Sequence, residues 1–375
     1  TEEVDGDLPR ELFFMTAGTA ALAQLMEFVV NAPQRLPRGP ANKTRLRVHH
    51  LLNMDDEYCM SNFRFRAPHL IRLFHALDLY DHDEDDWIRI DLQDERHYLP
   101  ADVCMLIFLA RLSHPCRYVD LIPLIGEEIN RLCPAMREIT HYVYNNFAYP
   151  LTRFELWQDS FDSFGDIMRS YGAPYPNLIG LIDGNFLRCC RPGGEGNWEA
   201  RMPQELLYNG KEKAHGLKFL AVLFANGMVC LYGPVEGKMH DATLLRTSMW
   251  MQFLEQMQAN GNGHHILFGD CAFPCTRNIQ CMFKGAMETS SARFNELMAK
   301  IRISVENCFA EQSIIWHFLT HENKNAVGRS PVQEYYTIAT FLMNCRGTLY
   351  GNQMMSQVGV ALNLPSLESY INKRH

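Results

Sequence analysis

Three acidic residues carry the chemistry that this sequence suggests most directly. Asp183 and Asp270 each end an apolar run of the kind that forms a buried strand, and Glu306 lies in a segment with helical spacing. An acid at the end of a buried strand is costly unless its charge is compensated, and a divalent cation is the usual compensation. Carboxylates that converge from two strands and a helix would hold Mg²⁺ for phosphoryl chemistry on nucleic acid.

Taken singly, each acid also fits an ordinary structural role. Asp183 precedes Gly184 and Asp270 follows Gly269, so either aspartate is compatible with a turn at a strand end, and Glu306 is compatible with a solvent-facing helix position. The combination favours a shared site. In the sequence, 86 residues separate the two aspartates and 35 separate Asp270 from Glu306.

The elements that must position these acids lie in the second half of the chain. Short apolar runs bounded by Gly, Asn and Asp predict strands at 178–182, 186–190, 217–224, 228–232 and 265–268. Ala225-Asn-Gly-Met228 predicts a hairpin between the third and fourth of these runs. Helical patterns cover 241–258, 294–309 and 332–349. Strands with helices packed around them indicate an α/β layer architecture.

The first half of the chain has the hydrophobic spacing that is typical of helices. We divide the sequence into a 1–50 segment, a 51–175 helical region, a 176–355 α/β domain and a 356–375 tail. The first segment combines a helical stretch, 11–30, with a basic Pro-rich connector. The pattern is helical throughout 53–146, with Pro134 near a helix boundary, and one more helix follows at 153–171. A short helix, a Gly turn and a helix at 119–147 fit either a helix-turn-helix unit or a plain bundle.

Composition excludes several classes of protein. The apolar fraction of 47% predicts a globular chain with a sizeable core, and no apolar run reaches about 18 residues without a charge, so we expect no membrane span. Twelve cysteines without paired C-x-x-C knuckles favour free thiols in a reducing compartment over zinc or disulfides.

The acidic run 81–86 lacks the pattern of a calcium loop and predicts a solvated loop. The formal net charge of −8 leaves phosphate binding to local basic stripes, and basic residues gather at 35–38 and 43–47.

Beyond single residues, a set of motifs resembles the DDE nuclease domain of PIF/Harbinger transposases and the host proteins derived from them. The matching stretches include Asp183-Gly, Tyr208-Asn-Gly-Lys211, His215-Gly-Leu-Lys218, Leu231-Tyr-Gly-Pro-Val-Glu-Gly237, His240-Asp241, Gly269-Asp270-Cys-Ala-Phe-Pro274, Ile303-Ser-Val-Glu306 and Leu349-Tyr-Gly-Asn352. The resemblance covers most of 55–355. The sequence departs from the family's pattern at Phe273, where Tyr is common, and after Glu306, where Asn307-Cys-Phe-Ala310 replaces an aromatic residue followed by Phe-Gly.

The resemblance implies an RNase H-like core, a mixed sheet flanked by helices, preceded by an all-α region. It implies that Asp183, Asp270 and Glu306 are catalytic and bind two Mg²⁺ or Mn²⁺ ions. In two-metal chemistry one ion activates the attacking water and the other stabilises the departing 3′ oxygen. The implied activity is DNA cleavage, followed in strand transfer by attack of the freed 3′-OH on target DNA.

Further residues enter the prediction through these motifs. Asp241, directly after His240, matches another acid of the family, and the pair would orient a ligand or water. A helix N-terminal acid favoured by the macrodipole is the alternative for Asp241. Candidate DNA contacts lie on the flanking segments, with solvated lysines and a buried aromatic anchor as the alternatives. They are Lys211, Lys213, His215, Lys218, Lys238 and Trp198.

The resemblance also implies partners. Transposon-end and target DNA would be the substrates, and a separate Myb-like protein would supply specific DNA binding and entry into the nucleus from the cytoplasm. Assembly of this chain into a homo-oligomer is a further alternative. Two other functions remain: a domesticated, chromatin-associated nuclear protein without cleavage, and a DNA-binding module in the helical region, which its few basic residues disfavour.

Overall fold

The computed structural model describes residues 45–92, 98–192, 204–285, 288–352 and 364–373. The predicted helix at 11–30, the basic Pro-rich connector, Trp198 and part of the predicted tail lie outside the described residues.

Helices dominate the first half of the described chain. They are α1 (Asp56–Phe63), α2 (Ala67–Ala76), α3 (Ala101–Ser113), α4 (Tyr118–Ile125), α5 (Ile129–Phe147), α6 (Tyr149–Thr152) and α7 (Phe161–Ser170). Every residue of α3 is buried, because its sequence is apolar on all sides apart from Asp102, Arg111 and Ser113. Helices α1, α4 and α5 pack around α3, so α3 forms the centre of this region.

Three details of this region differ from the sequence prediction. Two small hairpins interrupt the helices: β1 (Tyr80–Asp81) with β2 (Asp86–Trp87), and β3 (Arg89–Asp91) with β4 (Tyr98–Pro100). The edge-to-face contact of the Tyr80 and Trp87 rings, with centroids 5.1 Å apart, stabilises the first hairpin, and the acidic run forms its exposed turn as predicted. Helix α5 continues through Pro134, so the predicted boundary there is wrong. The predicted helix at 153–171 begins as a 3-10 helix, Phe154–Ser160.

A mixed sheet forms the second half. Its strands are β5 (Leu178–Arg188), β6 (Tyr208–Asn209), β7 (Ala214–Phe224), β8 (Val229–Glu236), β9 (Ile266–Phe268) and β10 (Ile279–Gln280). Strand β5 is central, with β7 antiparallel on one side and β9 parallel on the other. Strand β8 pairs antiparallel with β7, and β10 pairs parallel with β9. The predicted hairpin is confirmed: the Phe224 N–H donates to the Met228 carbonyl at 2.9 Å, and Gly227 takes the positive φ of 80° that the turn needs.

The helices of this half are α8 (Gln204–Leu207), α9 (Asp241–Thr247), α10 (Trp250–Ala259), α11 (Thr289–Ile315), α12 (Val332–Tyr350) and α13 (Leu367–Ile371). The single helix predicted at 241–258 is wrong, because Met249 adopts a left-handed φ of 65° and separates α9 from α10. Helix α11 extends beyond the predicted 294–309 at both ends, and α12 agrees with its prediction.

One hydrophobic core joins both halves. Its buried residues run from Leu46 to Ile371. Phe154, before α7, stacks on Phe224 of β7 and on Trp250 of α10, at centroid distances of 5.7 and 5.2 Å. The predicted α/β architecture is confirmed, whereas the domain limits near 50, 175 and 355 stay a prediction. None of the described helices combines the length and apolarity needed to cross a bilayer.

Candidate active site

The sheet brings Asp183 and Asp270 side by side. Strands β5 and β9 are parallel, with Leu181 opposite Phe268. Asp183 stands two residues after Leu181 within β5, and Asp270 stands two residues after Phe268, the last residue of β9, so both lie at the same end of the paired strands. The charge of Asp270 acts on Asp183. Asp270 lies just beyond β9, as predicted. Asp183 lies within β5, so the prediction of two separate runs, 178–182 and 186–190, is wrong.

Asp183 is a partly buried carboxylate. Its side chain keeps 18% of its surface exposed. Burial raises its pKa to about 6, and the neighbouring charges of Asp270 and Asp241 act in the same direction. The Gly184 N–H, which donates to Asp183 Oδ1 at 2.8 Å, and the Arg302 guanidinium oppose the rise without cancelling it. An additional positive charge near Asp183, such as a bound cation, would therefore stabilise the ionised form of its carboxyl group.

Arg302 links the third acid, Glu306, to Asp183. Glu306 lies on α11, as predicted, with 52% of its side chain exposed. Arg302, one turn earlier, places Nη2 2.9 Å from Glu306 Oε1 and 3.9 Å from Asp183 Oδ2. Our sequence reasoning missed Arg302. The signal was its i, i+4 spacing to Glu306 on a helical pattern, which brings two side chains onto one face.

The donor chemistry fits a hard divalent cation. Asp183, Asp270 and Glu306 offer only carboxylate oxygens, which Mg²⁺ and Mn²⁺ prefer. The cation next to Asp183 and Glu306 is the Arg302 guanidinium. Within the described ranges, no group of three or more His, Cys, Asp or Glu side chains is arranged to hold a metal ion. Binding therefore requires Arg302 to withdraw and the carboxylates to turn toward one another.

A fourth acid approaches the strand from α9. Asp241, the first residue of α9, places Oδ1 2.7 Å from Lys218 Nζ, and Lys218 Nζ also donates to the Met239 carbonyl at 3.0 Å. A Cβ atom on Gly184 would collide with Asp241 Oδ1, so a larger residue there would displace the Asp241 carboxylate from this position. Asp241 thus lies beside Asp183, where it adds negative charge. His240 precedes α9 and is exposed.

The ion pair changes the interpretation of Lys218. We predicted Lys218 as a phosphate contact, which requires an exposed ammonium group. Only 9% of the residue is exposed, and its charge is paired with Asp241. We therefore assign Lys218 to the positioning of Asp241 rather than to DNA.

The other predicted DNA contacts lie at the surface to different degrees. Lys211 and Lys213 are exposed in the turn between β6 and β7. His215 is half-buried and lies 5.3 Å from the Tyr208 ring, and Lys238 is exposed and 3.8 Å from Glu236. DNA contact by these four residues stays a prediction, and Trp198 lies outside the described residues.

Two arginines from the basic sequence near residue 45 form internal ion pairs. Arg45 pairs with Glu127. Arg47 Nε lies 2.8 Å from the fully buried Asp102 Oδ2. These arginines compensate acids inside the helical region, so they do not form a free basic stripe for DNA.

All twelve cysteines are free thiols in this structure. Five are buried, and the others are half-buried or exposed. Cys271, Cys275 and Cys281 lie close to Asp270 in the sequence, between β9 and the start of α11.

Comparison with known proteins supports a likeness of this chain to a DDE transposase-like family. Residues 182–344 match the sequence model of the family described as DDE superfamily endonuclease. The matched segment covers somewhat under half of the chain and contains Asp183, Asp241, Asp270 and Glu306. No curated protein and no solved structure matched the chain. The mixed sheet flanked by helices agrees with the RNase H-like core expected for such a nuclease.

Proposed function

We propose that this chain is a metal-dependent DNA endonuclease of the PIF/Harbinger transposase type, which cleaves DNA and joins the freed 3′ end to a target. The observation that carries the proposal is the position of Asp183 within β5 and of Asp270 directly after the parallel neighbour β9, inside the segment that matches the endonuclease family. A burial-raised pKa at a carboxylate with an acidic neighbour is typical of functional sites.

Each acid has a distinct part in this proposal. Asp183 and Asp270 are the inner ligands, since the sheet fixes their backbones at adjacent positions. Glu306 approaches from α11 and completes the ligand set once Arg302 releases it. Endonucleases of the DDE superfamily use divalent metals, which activate water and stabilise the leaving oxygen in phosphodiester cleavage.

Arg302 and Lys218 set the charge around these acids. Arg302 pairs with Asp183 and Glu306, and if these carboxylates held a cation its guanidinium would be free to contact a DNA phosphate. Lys218 keeps Asp241 against Gly184, so the negative charge of Asp241 remains directed at Asp183.

The proposed substrates and partners follow from the same family. Transposon-end and target DNA are the substrates, and a Myb-like protein supplies sequence-specific binding and nuclear entry. The net charge of −8 supports such a division of labour, because this chain lacks the excess of basic residues that strong DNA binding needs. Nuclear localisation and homo-oligomerisation are part of the proposal.

The test is a nicking assay on labelled transposon-end DNA with Mg²⁺ or Mn²⁺, with and without the Myb-like partner. We expect cleavage by the native protein and a loss of at least about 100-fold in Asp183→Asn and Asp270→Asn, since each removes an inner ligand. Asp162→Asn is the matched control, because the Asp162 side chain is 96% exposed and distant in sequence from the site.

One observation favours the alternative, a domesticated DNA- or chromatin-associated protein without cleavage. Arg302 already compensates Asp183 and Glu306, so the acids have an internal counter-ion. Under this alternative the native protein fails to nick DNA even with its partner, while DNA binding is unchanged in Asp183→Asn. Equal cleavage by the native protein and both aspartate variants would contradict the metal mechanism itself.

A further inference from the structure

Two thiols touch one another in the loop that follows Asp270. Cys275 Sγ lies 2.7 Å from Cys281 Sγ. Cys275 is exposed and Cys281 is half-buried, so reagents in solution reach the pair from the Cys275 side. A disulfide has a sulfur–sulfur distance of about 2.05 Å, so the two atoms need to approach by less than about 1 Å.

We propose that Cys275 and Cys281 form a reversible dithiol–disulfide pair that exchanges with small-molecule disulfides. The pair is a modification site separate from the carboxylates. Disulfide formation needs neither DNA nor a metal ion, so this inference does not depend on the proposed nuclease function.

The oxidant in this exchange is a small disulfide of the glutathione type. The Cys275 thiolate attacks one sulfur of the small disulfide, whose S–S bond breaks, and the first small thiol leaves with the proton that Cys275 lost. Cys281 then attacks the Cys275 sulfur of the mixed disulfide and expels the second small thiol. The two protein thiols are oxidised, and one small disulfide is reduced to two thiols.

The environments of the two sulfurs set this order of attack. Burial raises the pKa of the Cys281 thiol to about 12, and its hydrogen bond with Cys275 adds to the rise. Cys281 is therefore a thiol rather than a thiolate at neutral pH and a poor first nucleophile. Exposed Cys275 meets the external disulfide first, and Cys281 is already in place to attack the mixed disulfide.

The backbone between the two cysteines is folded into a short turn. The Thr276 N–H donates to the Ile279 carbonyl at 2.8 Å, which brings the chain back before Cys281. The Gly269 N–H donates to the Gln280 carbonyl at 2.9 Å and joins this turn to the residue before Asp270. The cross-link therefore needs little rearrangement, and it fastens the loop after Asp270 to β10.

A third thiol lies next to the pair. Cys271 is exposed, and its Sγ donates to the Met282 carbonyl at 3.8 Å, beside Cys281. The 2.7 Å contact assigns the disulfide to Cys275 rather than to Cys271. The experiment must therefore distinguish these two connections.

The test is peptide mapping by mass spectrometry of the full chain, equilibrated with mixtures of reduced and oxidised glutathione. We expect a peptide that joins Cys275 to Cys281, with loss of both thiols and full recovery on adding dithiothreitol. Cys281→Ser should instead accumulate a mixed disulfide at Cys275, and Cys271→Ser should form the cross-link normally. Cys133→Ser is the control, since Cys133 is an exposed thiol on α5 and far from the loop in sequence.

Hydrogen exchange gives a second measurement. The backbone amides of 270–281 should exchange about tenfold more slowly in the oxidised protein than in the reduced protein, because the cross-link opposes local opening. The proposal is overturned if Cys275 and Cys281 carry separate glutathione groups, or if Cys271 replaces Cys275 in the cross-link. Equal exchange rates would overturn the proposed fastening of the Asp270 loop.

Discussion

At the residue scale, the balance of charge around Asp183 decides how the site behaves. Two carboxylates, Asp241 and Asp270, act on Asp183, and among the described residues Lys218 and Arg302 are neighbouring cations. Lys218 is bound to Asp241, so Arg302 is the nearer counter-ion for Asp183. A cation that binds the carboxylates must compete with Arg302, because like charges within a few ångströms repel one another.

Removing the Arg302 charge should strengthen binding of a divalent cation. We expect Arg302→Gln to lower the Kd for Mn²⁺ by about tenfold, since the competing positive charge near Asp183 and Glu306 is gone. Titration calorimetry at pH 8 measures this, where Asp183 is ionised in both proteins. Arg293→Gln, an exposed position on the same helix, should leave the Kd unchanged. Weaker binding in Arg302→Gln would mean that Arg302 supports the ligands instead of competing.

Asp183 should make folding stability depend on pH. Its pKa rises from an ordinary 3.8 to about 6 on folding, so the folded protein binds a proton more tightly than the unfolded chain. Stability therefore falls as the pH rises from about 4 to about 6, and the full cost is present above pH 6. Asp183→Asn should be more stable than the native protein by roughly 1–3 kcal/mol at pH 7.5, and the difference should vanish near pH 4.

Thermal unfolding in a chelator at several pH values checks this prediction. The chelator matters because a bound cation stabilises the native protein and hides the cost of the buried charge. Asp159→Asn, at an exposed carboxylate, should show no such pH-dependent difference. Lower stability of Asp183→Asn at pH 7.5 would mean that the contact of Asp183 with Arg302 outweighs the cost of burial.

At the element scale, strand β5 and helix α9 depend on one another through Gly184. Ala at this position would place its Cβ against Asp241 Oδ1. We expect Gly184→Ala to destabilise the fold by about 1–3 kcal/mol, as overpacking does, and to disturb the Lys218–Asp241 pair. Gly210→Ala is the matched control, because a Cβ on Gly210 has no neighbour within 4 Å. Denaturant unfolding of the two variants compares them, and equal stabilities would contradict the close contact of the Asp241 side chain with Gly184.

Strand β5 also explains what the sequence could predict. The polar stretch Asp183-Gly-Asn185 interrupts an apolar run, so a local pattern ends the strand there. In the fold, Asp183 pairs with Ala221 of β7, and the Asn185 amide donates to the Tyr336 hydroxyl at 2.5 Å. Partners distant in the sequence thus continue the strand. The hairpin at 225–228 was predicted correctly because its turn residues are adjacent.

In the candidate active site, too, local sequence patterns predicted the features that depend on adjacent residues and missed those that depend on distant ones. That Asp183 and Asp270 meet could be inferred, since both follow apolar runs that form neighbouring strands. The spacing of Arg302 to Glu306 was visible in the sequence, but the approach of Arg302 to Asp183 and the pairing of Lys218 with Asp241 were not, because they depend on how α11 and α9 pack on the sheet. The break at Met249 left no signal either, since neither Gly nor Pro marks it.

At the scale of the whole molecule, one arginine joins the helical region to the α/β half. The Arg64 side chain donates from Nε to the Ile315 carbonyl at 3.0 Å and from Nη2 to the Ser113 carbonyl at 3.2 Å. These carbonyls end α11 and α3, where backbone oxygens lack helical partners and a positive charge is favourable. Burial, with the nearby charge of Arg346, lowers the pKa of Arg64 to about 10, so the group stays charged at neutral pH.

Loss of Arg64 should therefore weaken the whole fold rather than one part of it. We expect Arg64→Met, which keeps an apolar stem, to lower the free energy of unfolding by about 2–4 kcal/mol, since two helix ends lose charged hydrogen bonds. Unfolding should remain a single transition, because one core spans both halves. Arg66→Met is the control: Arg66 forms an exposed ion pair with Asp56 at 3.3 Å, worth at most about 1 kcal/mol. Denaturant unfolding followed by tryptophan fluorescence and circular dichroism measures both variants, and two separate transitions in Arg64→Met would show that the halves fold independently.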